Sequence, residues 1–176
     1  MKPAFVFLSP HGRLSPGAFG QALIILVGIM MLVMITSAYV SQGFGMFQTL
    51  LIFPYICVFG KRLHDAGQSA WLYLVFVLGY FVLTAIVTAI VLPFFSPAAS
   101  QMQVEFQNIA LGGDFAGAME ALSERSLEFA QASIFTTVFS FLVANALLGY
   151  LAWRLASDPD TNQHGPPTIG GQSSTL

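Results

Sequence analysis

"LSPGAFGQALIILVGIMMLVMITSAYVSQGFGMFQTLLIFPYICVFG", Leu14–Gly60, contains no Asp, Glu, Lys or Arg. Written as one helix it would run about 70 Å at ~1.5 Å per residue, over twice the ~30 Å hydrocarbon core of a bilayer. A water-soluble core built from a chain of 176 residues could not hide it. Only 8% of residues are charged, against about a quarter in a soluble domain. The stretch therefore reads as two membrane spans. They are helical because lipid leaves every backbone polar group to be satisfied within the chain. No ~10-residue segments alternate apolar and polar, as a transmembrane β-barrel would require.

Working outward, the first span covers about 18–40, and "SQGFG" (Ser41–Gly45) supplies the break. Its apolar length exceeds the 7–15 residues of a signal-peptide core, so it reads as an uncleaved span. The second covers about 43–60, is short, and carries Gln48 and the kink-forming Pro54. The third covers about 70–95 and ends near Pro93 and Pro97; the fourth covers about 129–153. Residues 96–128 form a polar insert, read as two helical pieces split by "LGGD" (Leu111–Asp114) with Asp114 as N-cap. Phe115, Met119, Leu122 and Phe129 suggest an apolar face, and Glu120, Glu124 and Glu128 an i,i+4 acidic row that needs water or a partner. This second piece can run unbroken into the fourth span. Residues 158–176 form a Pro/Gly-rich tail behind a single membrane domain, 1–157. The fold class is all-α: a four-transmembrane-helix bundle with a helical periplasmic insert between spans three and four.

Four spans sort the cations. One side receives Lys2, Arg13, Lys61, Arg62 and Arg154; the other receives Arg125 together with Glu105, Asp114, Glu120, Glu124 and Glu128. The positive-inside rule places both termini and the Lys61 loop in the cytoplasm. Trp71, Tyr150 and Trp153 then share the cytoplasmic aromatic belt.

The densest polar motif is "KRLHDAGQSAW", Lys61–Trp71. Lys61 and Arg62 suit the negative end of the second span's helix dipole. Asp65 stands three residues from Arg62, within reach of a charge-assisted hydrogen bond. Gly67 supplies a positive φ for the reversal, Ser69 a cap, and Trp71 an interfacial anchor. Two readings follow. One is a topogenic hairpin; the other is a pocket in which Arg13, Arg62 and His64 hold an anionic headgroup, a phosphate or a partner's carboxylate.

The motif also resembles the hallmark of the DUF805 family, small bacterial inner-membrane proteins of unknown function. That family has an Arg-x-His/Arg-Asp-x-Gly-x-Ser-Gly-Trp segment at this place. "HGRLSPGAF" (His11–Phe19) and "DTNQHGPP" (Asp160–Pro167) resemble its N- and C-terminal blocks. The resemblance singles out Gly12, Arg13, Ser15 and Phe19, then Arg62, Asp65, Gly67, Ser69 and Trp71, then Asn162, Gly165 and Pro166. Pro16, Gly20, Ala70 and His164 depart from the family pattern, and residues 96–128 enlarge it. Together with the topology, it predicts a juxtamembrane cluster of Arg13, Arg62 and Asp65 with the 162–167 segment folded near it.

No catalytic constellation, cofactor site or metal site emerges. Cys57, Ser37 and Ser140 lack a histidine or charged neighbour in their own spans, and His11, His64 and Asp65 are a thin metal signal. Asn145 reads as interhelical glue or a substrate contact. No ionisable residue lies within the spans as drawn, which argues against ion or proton transport. A net charge of −2 offers no nucleic-acid footprint. The expected function is a non-catalytic accessory or scaffold subunit. Its partners would be the bilayer and its anionic headgroups, a membrane protein, or a second copy. The alternatives are a small oligomeric transporter or channel and, more remotely, a lipid-directed enzyme using His64 and Asp65.

Overall fold

Proline and hydroxyl residues set the helix starts. The computed structural model of the chain describes residues 2–168, and the described residues form seven α-helices without a strand. Helix α1 (Pro3–Leu8) is followed by α2 (Pro16–Tyr39), where Ser15 accepts from the Ala18 N–H and Pro16 fills the first helical position. A 3-10 turn at Gln42–Gly45, capped by Ser41, leads into α3 (Met46–Asp65). A second, at Ala70–Leu72 and capped by Ser69, leads into α4 (Tyr73–Phe95). Then come α5 (Pro97–Leu111), α6 (Phe115–Glu124), whose N-cap Asp114 accepts from Gly117, and α7 (Ser126–Arg154).

Four helical stretches are long and apolar enough to cross a membrane: Pro16–Tyr39, Gln42–Asp65, Ala70–Phe95 and Ser126–Arg154. Three features differ from the expectation. The second stretch runs through Lys61–Asp65 rather than stopping at Gly60, so the basic motif rides on the last turns of α3. Helix α6 does not continue into the fourth stretch. The chain turns at Arg125 (φ −101°, ψ 17°), whose guanidinium reaches Glu105 (2.8 Å) and Glu128 (2.9 Å). The acidic row is thereby split: Glu128 is ion-paired, while Glu120 and Glu124 are exposed on α6. Helix α1 is unforeseen by the sequence reading. The tail from 158 is described only to residue 168; residues 169–176 lie outside the described residues.

Helix α7 packs between α2 and α4, α3 lies along α2, and α1 tucks against α3. Thr88 donates to Ser140 (3.0 Å), and the Ser96 and Thr136 hydroxyls meet at 2.8 Å, joining α4 to α7 by polar contacts. Asn145 is not interhelical glue: its amide donates to the Phe141 carbonyl of its own helix (2.9 Å). The buried apolar core gathers at one end, where Val6, Leu14, Phe19, Val58 and Phe59 meet and the Phe19 and Phe59 rings cross edge-to-face at 5.1 Å. Helix α4 is the opposite case, with Leu92 its only buried residue.

The α2–α7 seam is tightest at Gly149, where an added Cβ would collide with the Leu23 side chain; at Gly28 it would meet nothing within 4 Å. Gly149→Leu is expected to destabilise the purified protein by about 1–3 kcal/mol through overpacking. Gly28→Leu should leave stability within about 0.5 kcal/mol of the parent. Thermal unfolding in detergent checks the pair.

Candidate functional site

Beneath the buried core, three loops and two helix ends converge on Asp65. Gly12, at φ 96°, turns the α1–α2 loop so that Arg13 enters the bundle end, and the Leu14 N–H donates to the Lys61 carbonyl (3.1 Å). Arg13, Lys61, Arg62 and Asp65 have no exposed surface. Burying charge on this scale is tolerable only if every donor finds an acceptor.

Each donor does. Arg13 donates through Nε to Asp65 Oδ1 (3.2 Å), and through its terminal nitrogens to the carbonyls of Asp65 (3.1 Å), Asp158 and Asp160 (2.8 Å). Arg62 donates to Asp65 Oδ2 (2.7 Å) and to the carbonyls of Ala152 (3.1 Å), Trp153 (3.3 Å) and Leu155. It thereby closes the C-terminal end of α7, where the dipole and the orphan carbonyls favour a cation. Lys61 does the same for α1: its Nζ donates to the carbonyls of Phe5, Val6 (2.7 Å) and Ser9 (2.8 Å) and lies 4.6 Å from the Phe5 ring centre. Asp65 completes its coordination with the Thr168 hydroxyl on Oδ1 (2.7 Å) and the Ser157 hydroxyl on Oδ2 (2.6 Å). Its carboxylate thus accepts four hydrogen bonds.

The 157–168 segment is laid across this cluster. The Asp158 N–H donates to the Asp65 carbonyl (2.7 Å), and the Asn162 amide to the His64 carbonyl (3.2 Å) and Asp158 Oδ2 (2.9 Å). Asn162 and Gly165 pair through both backbone groups, with Gly165 at φ 127°. The His164 ring stacks on His64 at 3.6 Å and 4°, while His64 Nδ1 meets the Gly12 carbonyl at 3.2 Å. Gly67 is required twice: φ is 68°, and a Cβ there would approach Asp158 Oδ2 to 3.3 Å. The Asn162 amide, the Asp160 N–H and the Arg13 guanidinium together hold the Asp158 carboxyl below its ordinary value.

Gly12, Arg13, Lys61, Arg62, His64, Asp65, Gly67, Asn162 and Gly165 therefore belong to one contiguous assembly. Ser69 instead caps the next turn, Trp71 is exposed beside it, and Pro166 is exposed. Glu120, Glu124 and Glu128 belong to the insert, apart from this site. The pocket reading, in which Arg13 and Arg62 hold an external anion, is corrected: both are enclosed, and their donors point at protein acceptors. Sequence reasoning missed Ser157, Asp158 and Thr168. The "SDPDT" run (Ser157–Thr161), dense in short acceptors, is the one available signal. It also missed the carbonyl ends of α1 and α7, which carry no residue signature. Among the described residues, no three His, Cys, Asp or Glu side chains gather as metal ligands would. Comparison of the chain with protein-family models, curated proteins and solved structures finds no match.

The His164 imidazole is held below its ordinary value by burial first, then by Arg13 and His11. Docking thus favours the neutral ring, and the undocked segment takes up a proton first as pH falls. The stabilisation is complete above about 6.5 and is lost on acidification below it. Amide hydrogen exchange of residues 158–168, corrected for intrinsic rate, is expected to rise between about pH 7.5 and pH 5.5. His164→Phe, which keeps the stack, should flatten that rise. An undiminished rise in the variant would assign the titration to another group.

Proposed function

We propose that this chain is a four-span integral membrane protein of the bacterial inner membrane, a divergent member of the DUF805 family, acting as a non-catalytic accessory or scaffold subunit. One observation carries the membrane reading: the distribution of polarity is inverted. Arg13, Lys61, Arg62 and Asp65 are fully enclosed, while Leu74, Phe81, Ile90 and Phe94 of α4 are exposed by more than half of their surface. In water such a face would be an aggregation liability; in lipid it is solvated.

Orientation follows from the cations. The end that gathers Arg13, Lys61, Arg62 and Arg154 faces the cytoplasm by the positive-inside rule, and α5–α6 face the periplasm. The family assignment rests on the residues themselves. It is supported by the way the three resembling blocks, at Gly12–Arg13, Arg62–Gly67 and Asn162–Gly165, interlock through Asp65 and Asp158.

The scaffold reading is supported by what the site can do chemically. The Asp65 carboxylate is occupied by four donors, which leaves it poorly placed to attack or to move a proton. With Arg13, Lys61 and Arg62 enclosed, the exposed Lys2 and Arg154 are the cations placed to meet anionic headgroups. Partner contact, with a membrane protein or a second copy, belongs to the α5–α6 hairpin, where Leu111, Phe115 and Met119 are exposed beside Glu120 and Glu124.

Topology is testable because Cys57 is the only cysteine. In a Cys57→Ser background, Leu111→Cys is expected to react with an impermeant maleimide in intact cells, and Gln68→Cys only after permeabilisation. The opposite pattern would overturn the orientation. Isolation from native membranes in mild detergent should recover a stoichiometric protein partner or a self-oligomer, reduced by Phe115→Ser. A monomer that recovers neither would count against the scaffold reading.

A further inference from the structure

Helix α3 meets α4 over little of its length beyond the Ser69 turn, while α4 is held to α7. Between them lies a cavity of about 610 Å³, walled by α2, α3, α4 and α7. Its surface is mostly aromatic and apolar, with Phe59, Tyr80, Phe81 and Phe141 among the rings. Gln48, Thr49, Tyr55, Tyr73, Tyr80 and Asn145 bring polar groups to the lining, and of these only Tyr55 and Asn145 are buried. Tyr55, itself 8% exposed, lines the cavity, and its buried hydroxyl has no hydrogen-bond partner among the described residues. Asn145 lines it too; one N–H goes to the Phe141 carbonyl, and its amide carries a second.

A buried hydroxyl without a partner costs free energy, and in hydrocarbon little water is at hand to relieve it. Tyr55 precedes Asp65 by ten residues, about 15 Å along the helix and so near the middle of a ~30 Å hydrocarbon core. Ordinary bilayer lipids carry their ester carbonyls at the edge of that core, so an acyl chain brings no acceptor to this depth. A ring that dissolves in the bilayer interior and bears its own carbonyl does. It would stack on the aromatic wall and accept from Tyr55, with Asn145 as a second donor within the same space.

We propose that this cavity is a binding site for a lipophilic ring carbonyl compound of the quinone class, held by the Tyr55 hydroxyl. The inference rests on the membrane reading above and assigns no reaction to the bound molecule. The protein then acts as a quinone-binding accessory subunit.

The test uses the full chain in lipid nanodiscs, with 2,3-dimethoxy-5-decyl-6-methyl-1,4-benzoquinone as probe and decylbenzene as the ring without a carbonyl. The quinone is expected to raise the unfolding temperature saturably, and decylbenzene is not. Tyr55→Phe, which removes only the unpaired hydroxyl, should be at least as stable as the parent without ligand and should bind the quinone about tenfold more weakly. Val77→Trp, which fills the cavity, should abolish the shift. Absence of saturable binding, equal response to decylbenzene, or unchanged affinity in Tyr55→Phe would each overturn the proposal. Flotation with liposomes after an alkaline wash separates the two levels. A chain washed off overturns the membrane reading, whereas an embedded chain that does not bind overturns this inference alone.

Discussion

Asp65 is the group on which the remainder of the structure depends. A carboxylate with no exposed surface is strongly disfavoured unless cations and hydrogen-bond donors surround it, and here Arg13, Arg62, Ser157 and Thr168 do so. Two of these donors come from the loop before α2 and the end of α3, and two from the segment after α7. One side chain thereby fixes the relative positions of chain segments more than a hundred residues apart. The guanidinium groups do not stop at the carboxylate: they continue into main-chain carbonyls, so the last turn of α7 is part of the same network. Lys61 extends it to α1 without a carboxylate, using helix-end carbonyls as its counter-charge.

The consequence is a molecule with two unlike halves. The basic end is densely hydrogen-bonded, and the apolar core sits directly on it. The apolar helices beyond are joined by sparse hydroxyl contacts, such as Thr88 with Ser140, and leave a cavity between α3 and α4. On the proposed membrane reading, such a division suits a bundle clamped at one water boundary and adaptable within lipid. In a bilayer, apolar faces gain little by packing against each other, because lipid tails solvate them equally well. A polar clamp is therefore the economical way to hold four helices in register.

Much of this was legible from residue type. The stretch without charges announced long apolar helices. Ser69 and Asp114 were readable as caps and Ser41 as part of a break, because short oxygen-bearing side chains satisfy the first free N–H groups. Ser15, which caps α2 ahead of the expected start near residue 18, was not read that way. Gly67 was readable as a positive-φ turn, and Arg62 and Asp65, three residues apart, as hydrogen-bonding partners, although the helix was not expected to run through them. The enclosure of the cluster was not legible. The acceptors that saturate Arg13, Lys61 and Arg62 are mostly backbone carbonyls, which every residue carries, so the sequence made these cations look available to lipid. The turn at Arg125 was hidden for a similar reason: Glu105, which draws its guanidinium aside, lies twenty residues away on α5. Asn145 bonding its own helix was equally unreadable, since both outcomes use the same residue.

The most direct test of the clamp is a double-mutant cycle between Arg13 and Asp65, read by reversible unfolding in mixed micelles. If the two charges are held together as described, Arg13→Gln and Asp65→Asn each destabilise strongly, and the double variant loses less than the sum, with a coupling of about 1 kcal/mol or more. Additive effects, with coupling indistinguishable from zero, would mean that the two side chains act independently and would contradict the account.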